Sequence, residues 1–378
     1  MNITFLGPAY PYRGGIAAFN NRLAQELIAE GHNVKIETFT VQYPNFLFPG
    51  KSQFSDDEAP KDLDITRSVN SVNPLNWLKV GNKIKNDEPD ILIVRYWMPF
   101  MAPSLGKISR IVKKNNKTKI IAIVDNFIPH EKRIGDQTLS KYFTNSVDAF
   151  ITMSKAVLND ISKINSTKII RFTPHPIYDI YGKLFEKSTA IEKLNLSNKN
   201  KYILFFGLIR DYKGLDLLLD AMKNEEIKQL GIKLIVAGEF YSNEEKYLAQ
   251  IKENNIEDNV ILVSKFIPDN EVGLYFSASD LIVQPYKTAT QSGVTQIAYH
   301  FNKPMLVTNV GGLPEIVPNN KCGYVVNKSA NEISNSIIDF YINNKEKHFA
   351  PFIEKEKEKY EWNKLTATIF NIFNELNK

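Results

Sequence analysis

The chain has one cysteine, Cys322, among its 378 residues. One thiol excludes an intrachain disulfide and any metal site built from several thiolates, and the neighbours Gly323-Tyr324-Val325-Val326 make Cys322 a small core residue. Long apolar runs are also missing, since none approaches the ~20 residues of a membrane span. The opening MNITFLGPAYP has neither a basic n-region nor a long apolar core, so no signal peptide is expected and the protein reads as cytoplasmic. Charge of one sign is barely in excess: 47 basic against 42 acidic residues leave +5. That balance suits an anionic substrate or a membrane surface, and no nucleic-acid partner is expected. Acidic clusters are few. Asp56-Asp57-Glu58 falls in a polar loop and reads as solvated, so no metal site is expected. What the chain does have is length and apolar content, with 43% hydrophobic residues, enough for two domains of about 150–190 residues.

The most informative stretch is 280–317, DLIVQPYKTATQSGVTQIAYHFNKPMLVTNVGGLPEIV. Leu281-Ile282-Val283, closed by Pro285, reads as a buried strand. A polar loop leads to Ser292-Gly293 at a helix start, with Val294, Ile297, Ala298 and Phe301 at helical spacing. Asn302-Lys303-Pro304 ends that helix, Met305 to Thr308 is another strand, and Gly311-Gly312 turns into a second short helix. Such an alternation builds a ligand crevice at the carboxyl ends of a parallel sheet. The helix start at Ser292-Gly293 offers free N–H groups and a positive dipole end, whose natural guest is an anion such as phosphate.

The same alternation runs through both halves. Asn2 to Leu6 is a strand leading into Arg13-Gly14-Gly15, with Phe19, Leu23 and Leu27 on one face of the following helix. This is not G-x-G-x-x-G, so a dinucleotide site is not indicated, but Gly-Gly before a helix lets the backbone approach a ligand, and Arg13 stands beside it. Residues 40–74 read as an irregular loop. Ile91 to Arg95 and Lys119 to Val124 are strands ending in distinctive loops, the second being Asp125-Asn126-Phe127-Ile128-Pro129-His130-Glu131. His130 with two acids nearby makes a functional loop there. Between the two lies 106–119, with six basic residues and no acid, a solvated helix face or an anionic-membrane contact. Ala149 to Thr152 and Lys168 to Phe172 bring the first half to about six strands, and the polar segment 183–200 reads as a linker. The second half repeats the pattern with six strands. Its first strand, Tyr202 to Phe206, enters Gly207-Leu208-Ile209-Arg210-Asp211-Tyr212-Lys213-Gly214. Arg210 supplies a planar fork for phosphate oxygens and Lys213 a compact charge, three residues apart at a helix entrance. Residues 346–359 read as a solvated charged run. Trp362, Leu365, Ile369, Phe373 and Leu376 then form one stripe at spacings of three and four.

Gly293, Pro304, the Gly311-Gly312-Leu313-Pro314-Glu315 turn, the loop from Gly207 to Gly214 and the final Trp362 helix resemble the retaining glycosyltransferases of family 4. In that family two Glu residues flank the glycine of the signature; here their positions fall on Thr290 and Ala298. The resemblance covers nearly the whole chain. It implies an α/β GT-B fold, two Rossmann-like domains facing across a cleft. The acceptor-side domain would be 1–182 with 361–378 crossing back onto it, and the donor domain 201–360. It further implies transfer of a sugar from a nucleoside-diphosphate sugar to a glycan or lipid-linked acceptor, in cell-surface polysaccharide or glycoconjugate synthesis, without metal or other cofactor. Arg210 and Lys213 would meet the diphosphate, with Ser292, Gly293, Val294 and Thr295 at the helix start. Arg13, Gly14 and Gly15 would face the donor phosphate, Gly238 and Glu239 would line the donor pocket, and Phe266 and Ile267 would hold the base. His130 would orient acceptor or sugar. Two alternatives stay open, a GT-B nucleotide-sugar epimerase and a catalytically inactive GT-B binding subunit.

Overall fold

The computed structural model describes residues 1–44, 53–55, 58–127, 135–241, 243–289 and 292–378. It divides into two compact units, Met1–His175 with Glu361–Lys378, and Pro176–Tyr360.

The first unit is built on a seven-stranded parallel sheet, β1 (Asn2–Leu6), β2 (Asn33–Val41), β3 (Asp64–Asn70), β4 (Ile91–Tyr96), β5 (Lys119–Val124), β6 (Ala149–Thr152) and β7 (Ile169–Phe172), in the order β3-β2-β1-β4-β5-β6-β7. The strands with unbroken apolar runs, ILIVRY and KIIAIV, lie inside the sheet, as strands covered on both faces must. β3 corrects the reading of 40–74 as irregular. Its sequence DITRSVN buries Val69 alone, because an edge strand needs little apolar surface, and so it carries no apolar signal. Helices α1 (Gly15–Ala29), α2 (Pro74–Asp87), α3 (Ala102–Val112), α4 (Asp136–Thr144) and α5 (Lys155–Ile164) join the strands. α1 buries Phe19, Leu23 and Leu27 as their spacing predicts. α3 buries Leu105, Ile108, Ile111 and Val112, so the apolar positions of the basic segment 106–119 are core. Three of its six cations are already engaged. Arg110 donates to the Gly106 carbonyl at 3.1 Å and lies 3.8 Å over the Tyr142 ring, Lys113 pairs with Asp148, and Lys117 lies 3.4 Å from Glu88.

The second unit holds β8 (Lys201–Phe206), β9 (Ile232–Ala237), β10 (Val260–Val263), β11 (Leu281–Gln284), β12 (Met305–Thr308) and β13 (Gly323–Val326), a six-stranded parallel sheet ordered β10-β9-β8-β11-β12-β13. Its helices are α6 (Lys187–Lys193), α7 (Leu215–Ala221), α8 (Glu225–Gln229), α9 (Glu244–Glu253), α10 (Asp269–Ala278), α11 (Gly293–His300), α12 (Leu313–Ile316), α13 (Ala330–Ile342) and α14 (Lys345–Lys357). Two polar segments prove to be structured. The expected linker 183–200 belongs to this unit: α6 buries Ala190 and Ile191, and Lys187 pairs with the buried Asp280. The charged run 346–359 is mostly α14, pinned by Phe349 and Ile353. In both cases two apolar side chains suffice to seat a short amphipathic helix, too few to stand out in a charged sequence.

The last helix, α15 (Trp362–Leu376), returns to the first unit. Trp362, Leu365, Thr366, Ile369 and Ile372 are its buried residues. The Trp362 ring lies 5.1 Å from that of Phe19, and Thr366 donates to Glu30 at 2.6 Å. Phe373 and Leu376, expected on this stripe, are half-buried. The 3.6-residue turn carries the contact line round to Ile372 instead.

Strand order reverses between β1 and β4 in the first sheet and between β8 and β11 in the second. At such switch points the loops leaving the two strands diverge to opposite faces and open a crevice.

Candidate functional site

In the second unit the switch point is framed by the loop after β8 and the segment after β11. Gly214 lets them meet. It adopts φ +71°, and a Cβ there would collide with the Pro285 carbonyl oxygen. Gly238, at φ +157°, packs as closely on the Gly207 carbonyl and brings the end of β9 in. Gly207 is the hub, for a Cβ on it would lie 3.1 Å from Lys213 Nζ and 3.8 Å from Val294 Cγ2. The cation loop and the first turn of α11 are therefore neighbours.

Lys213 is 8% exposed. Its ammonium has no ion-pair or hydrogen-bond partner among the described residues. The nearby acids face elsewhere: Asp211 accepts from Tyr247 at 3.0 Å and lies 3.7 Å from Lys246, and Asp216 pairs with Lys287 at 2.6 Å. Burial, reinforced by the Arg210 charge, pushes the Lys213 ammonium down to about 8. Arg210 is exposed, has no carboxylate partner among the described residues, and its guanidinium lies 4.6 Å over the Tyr241 ring. Two neighbouring cations, one of them buried, with no anion between them form an arrangement that an incoming anion stabilises.

The first turn of α11 supplies the other wall. Ser292 caps it, accepting from Val294 N at 3.2 Å and donating to Gln284 Oε1 at 2.7 Å. Val294 N is thus already bonded. Gly293 starts the helix beneath Tyr178, whose ring would be 3.0 Å from a Cβ there. Thr295 lies wholly inside, its hydroxyl donating to the Ser292 carbonyl at 2.5 Å. Ala298 is wholly buried too, and Thr290 falls outside the described residues. Glu239 is half-buried just after β9, its carbonyl accepting from Ile209 N at 2.9 Å. Beyond β10, Phe266 is 47% exposed while Ile267 is buried.

In the first unit, Gly14 adopts φ +108° as the N-cap of α1, and no side chain caps that helix. A Cβ on Gly14 would meet nothing within 4 Å among the described residues. Gly15 is exposed and Arg13 half-buried, its backbone N–H donating to the Gln53 carbonyl at 3.0 Å. His130 and Glu131 lie outside the described residues. Asp125, the other acid of that loop, is committed inward. Its carboxylate takes a bidentate pair from Arg95, with Nε to Oδ2 at 2.7 Å and Nη2 to Oδ1. Arg95 is 2% exposed and its guanidinium sits 4.0 Å from the Phe19 ring centroid. Burial raises the Asp125 carboxyl, and Arg95 opposes that rise. Sequence reasoning passed over Arg95, although a lone Arg inside ILIVRY is a signal, since a buried guanidinium requires a partner. It also passed over Tyr178, Tyr241 and Tyr286, which come from separate loops and share no motif. No cluster of three or more His, Cys, Asp or Glu that could hold a metal ion occurs among the described residues, and no helix there is long and apolar enough to cross a membrane.

Two parallel-sheet α/β units, each with its crevice at the switch point, define the GT-B fold, and solved structures agree. Sucrose-phosphate synthase from Thermosynechococcus elongatus matches with a TM-score of 0.75 at 16% identity, covering 100% of this chain and 99% of that one. HepE of Anabaena, solved in complex with UDP, matches with a TM-score of 0.74 at 15% identity over 99% of this chain and 100% of its own. In sequence, residues 186–359, most of the second unit, match the family Glycosyl transferases group 1. The chain is 24% identical over 379 residues to an uncharacterized glycosyltransferase of Methanocaldococcus jannaschii, across 97% of this chain and 96% of the relative. It is also 24% identical over 195 residues, half of each chain, to the GDP-mannose:glycolipid 4-beta-D-mannosyltransferase of Xanthomonas campestris.

Proposed function

We propose that this protein is a retaining, metal-independent glycosyltransferase of the family 4 type, with Thr290 and Ala298 at the two usual Glu positions. It would move a sugar from a nucleoside-diphosphate sugar to a hydroxyl of a glycan or lipid-linked acceptor. The observation that carries the reading is a cation pair, Arg210 and the buried Lys213, that has no ion-pair partner among the described residues, with Lys213 near the first turn of α11, in a stretch that matches the group 1 family. In such a transfer the bond between the anomeric carbon and the diphosphate oxygen breaks, and the charge that develops on the diphosphate is what a protein can stabilise. Lys213 and Arg210 supply that stabilisation without a metal ion. The acceptor oxygen bonds to the same face of the anomeric carbon, and its proton passes to a leaving phosphate oxygen, which leaves little for a side-chain base to do. Gly14-Gly15, in the loop after β1, would face the donor phosphate and the acceptor, and His130, in the loop after β5, would orient the acceptor or sugar. A lipid-linked acceptor would bring the chain to an anionic membrane, with Lys107 and Lys114 as exposed cations of 106–119. Supporting the donor class, one structural neighbour, HepE of Anabaena, is solved with UDP and with UDP-glucose.

The test is a screen of nucleoside diphosphates by thermal shift, followed by a transfer assay with the stabilising donor and with EDTA present. Arg210→Ala and Lys213→Ala should each lower turnover by roughly 10²–10³-fold, the scale of a lost transition-state donor. Near wild-type turnover in both variants at saturating donor would place the diphosphate elsewhere.

A further inference from the structure

Among the described residues no anion pairs with Arg210 or Lys213, and what lies against both cations is aromatic. The Arg210 guanidinium lies 4.6 Å over the Tyr241 ring, and Lys213 Nζ lies 5.8 Å from the Tyr286 ring centroid. Both rings are anchored through groups other than their π faces. Tyr241 is tied to the cation loop by its backbone N–H, which donates to the Ile209 carbonyl at 3.1 Å, next to the bridge of Ile209 with Phe240. Tyr286 is buried. Its carbonyl accepts from the Thr308 hydroxyl at 2.5 Å and its own hydroxyl lies 3.2 Å from Ser292 Oγ, the cap of α11. Tyr212 meets it edge-on at 6.0 Å. Each ring thus fixes one cation relative to the backbone that frames the crevice.

We propose that Tyr241 and Tyr286 are positioning residues for the diphosphate site, holding Arg210 and Lys213 on ring faces where carboxylates would otherwise stand. A ring quadrupole attracts a cation weakly and carries no net charge. A carboxylate would hold the cations more firmly but would have to be pushed aside, or neutralised, when the diphosphate arrives. The aromatic arrangement pre-orients both cations and leaves their full charge for the ligand. The inference rests on the proposed diphosphate site, and its test separates the two.

The probe is inorganic pyrophosphate, titrated calorimetrically into the full chain at low ionic strength. Tyr241→Leu removes the quadrupole and should weaken binding about three- to tenfold, while Tyr241→Phe keeps it and should stay within about twofold of wild type. In an Arg210→Ala background, Tyr241→Leu should have no further effect, which a merely structural role would not produce. Tyr286→Phe, with its ring retained, should also stay close to wild type. Wild-type affinity in Tyr241→Leu, equal loss in Tyr241→Phe, or an undiminished loss in the Arg210→Ala background would each overturn the inference while leaving the site. If Arg210→Ala itself binds pyrophosphate normally, the diphosphate site falls and the positioning role with it.

Discussion

Lys213 costs the fold stability, and the cost can be measured. Its ammonium is pushed from an ordinary 10.5 to about 8 by burial and by Arg210. A shift of that size corresponds to ~3 kcal/mol at pH 7, where the group is charged in both folded and unfolded chains. Because the folded value is depressed, the unfolded chain binds the proton more tightly. The penalty is therefore complete below pH 8 and fades as pH rises through 8 towards 10.5, so this group makes stability rise with pH across that window. At pH 10 about 1 kcal/mol should remain. Lys213→Met, which keeps most of the side chain and drops the charge, should accordingly raise the melting temperature of the second unit by roughly 6–12 °C at pH 7, and by much less at pH 10. Differential scanning calorimetry at both pH values decides it. Saturating diphosphate should narrow the gap by stabilising wild type and not the variant. The same substitution should remove activity, an instance of function kept at the expense of stability. A Met variant no more stable than wild type at pH 7, or a gain independent of pH, would refute the account of Lys213 as a buried cation awaiting an anion.

Two further expectations concern the neighbourhoods of Ala298 and Asp125. A 2′-deoxyribonucleoside diphosphate should bind within about tenfold of its ribo counterpart, ~1.4 kcal/mol, because Ala298 is buried and has no acceptor to offer a ribose hydroxyl. Calorimetry with matched pairs checks this, and a hundredfold preference for ribose would mean that another group reads the sugar. Asp125→Asn strips the buried Arg95 of its counter-charge and should cost about 3–5 kcal/mol in urea denaturation; stability equal to wild type would show that the pair is dispensable.

How much of this was legible beforehand followed from where apolar residues concentrate. Strands such as Lys119–Val124 and Ala149–Thr152 stand out residue for residue because a strand buried on both faces admits little else. β3 and α6 stayed hidden, since Val69 in one and Ala190 with Ile191 in the other are all they bury. In the candidate site the cations were readable from spacing along one loop. Arg210 follows Gly207 by three residues and Lys213 follows Arg210 by three more. What holds those cations was not readable, because Tyr241 and Tyr286 reach them from other strands' loops, and only the sheet order brings the three segments together.

The return of α15 to the first unit has a consequence for synthesis. The second unit is one uninterrupted stretch, Pro176–Tyr360, whereas the first is made of two pieces with the whole second unit between them. The bond from Thr366 to Glu30 spans 336 residues of sequence. A nascent chain therefore completes the unit encoded second before the one encoded first, and Phe19 keeps the part of its packing surface that meets the Trp362 ring uncovered until Trp362 emerges. Until then that surface is open to chaperones and to misassociation, and a chain released short of Glu361 would expose it permanently.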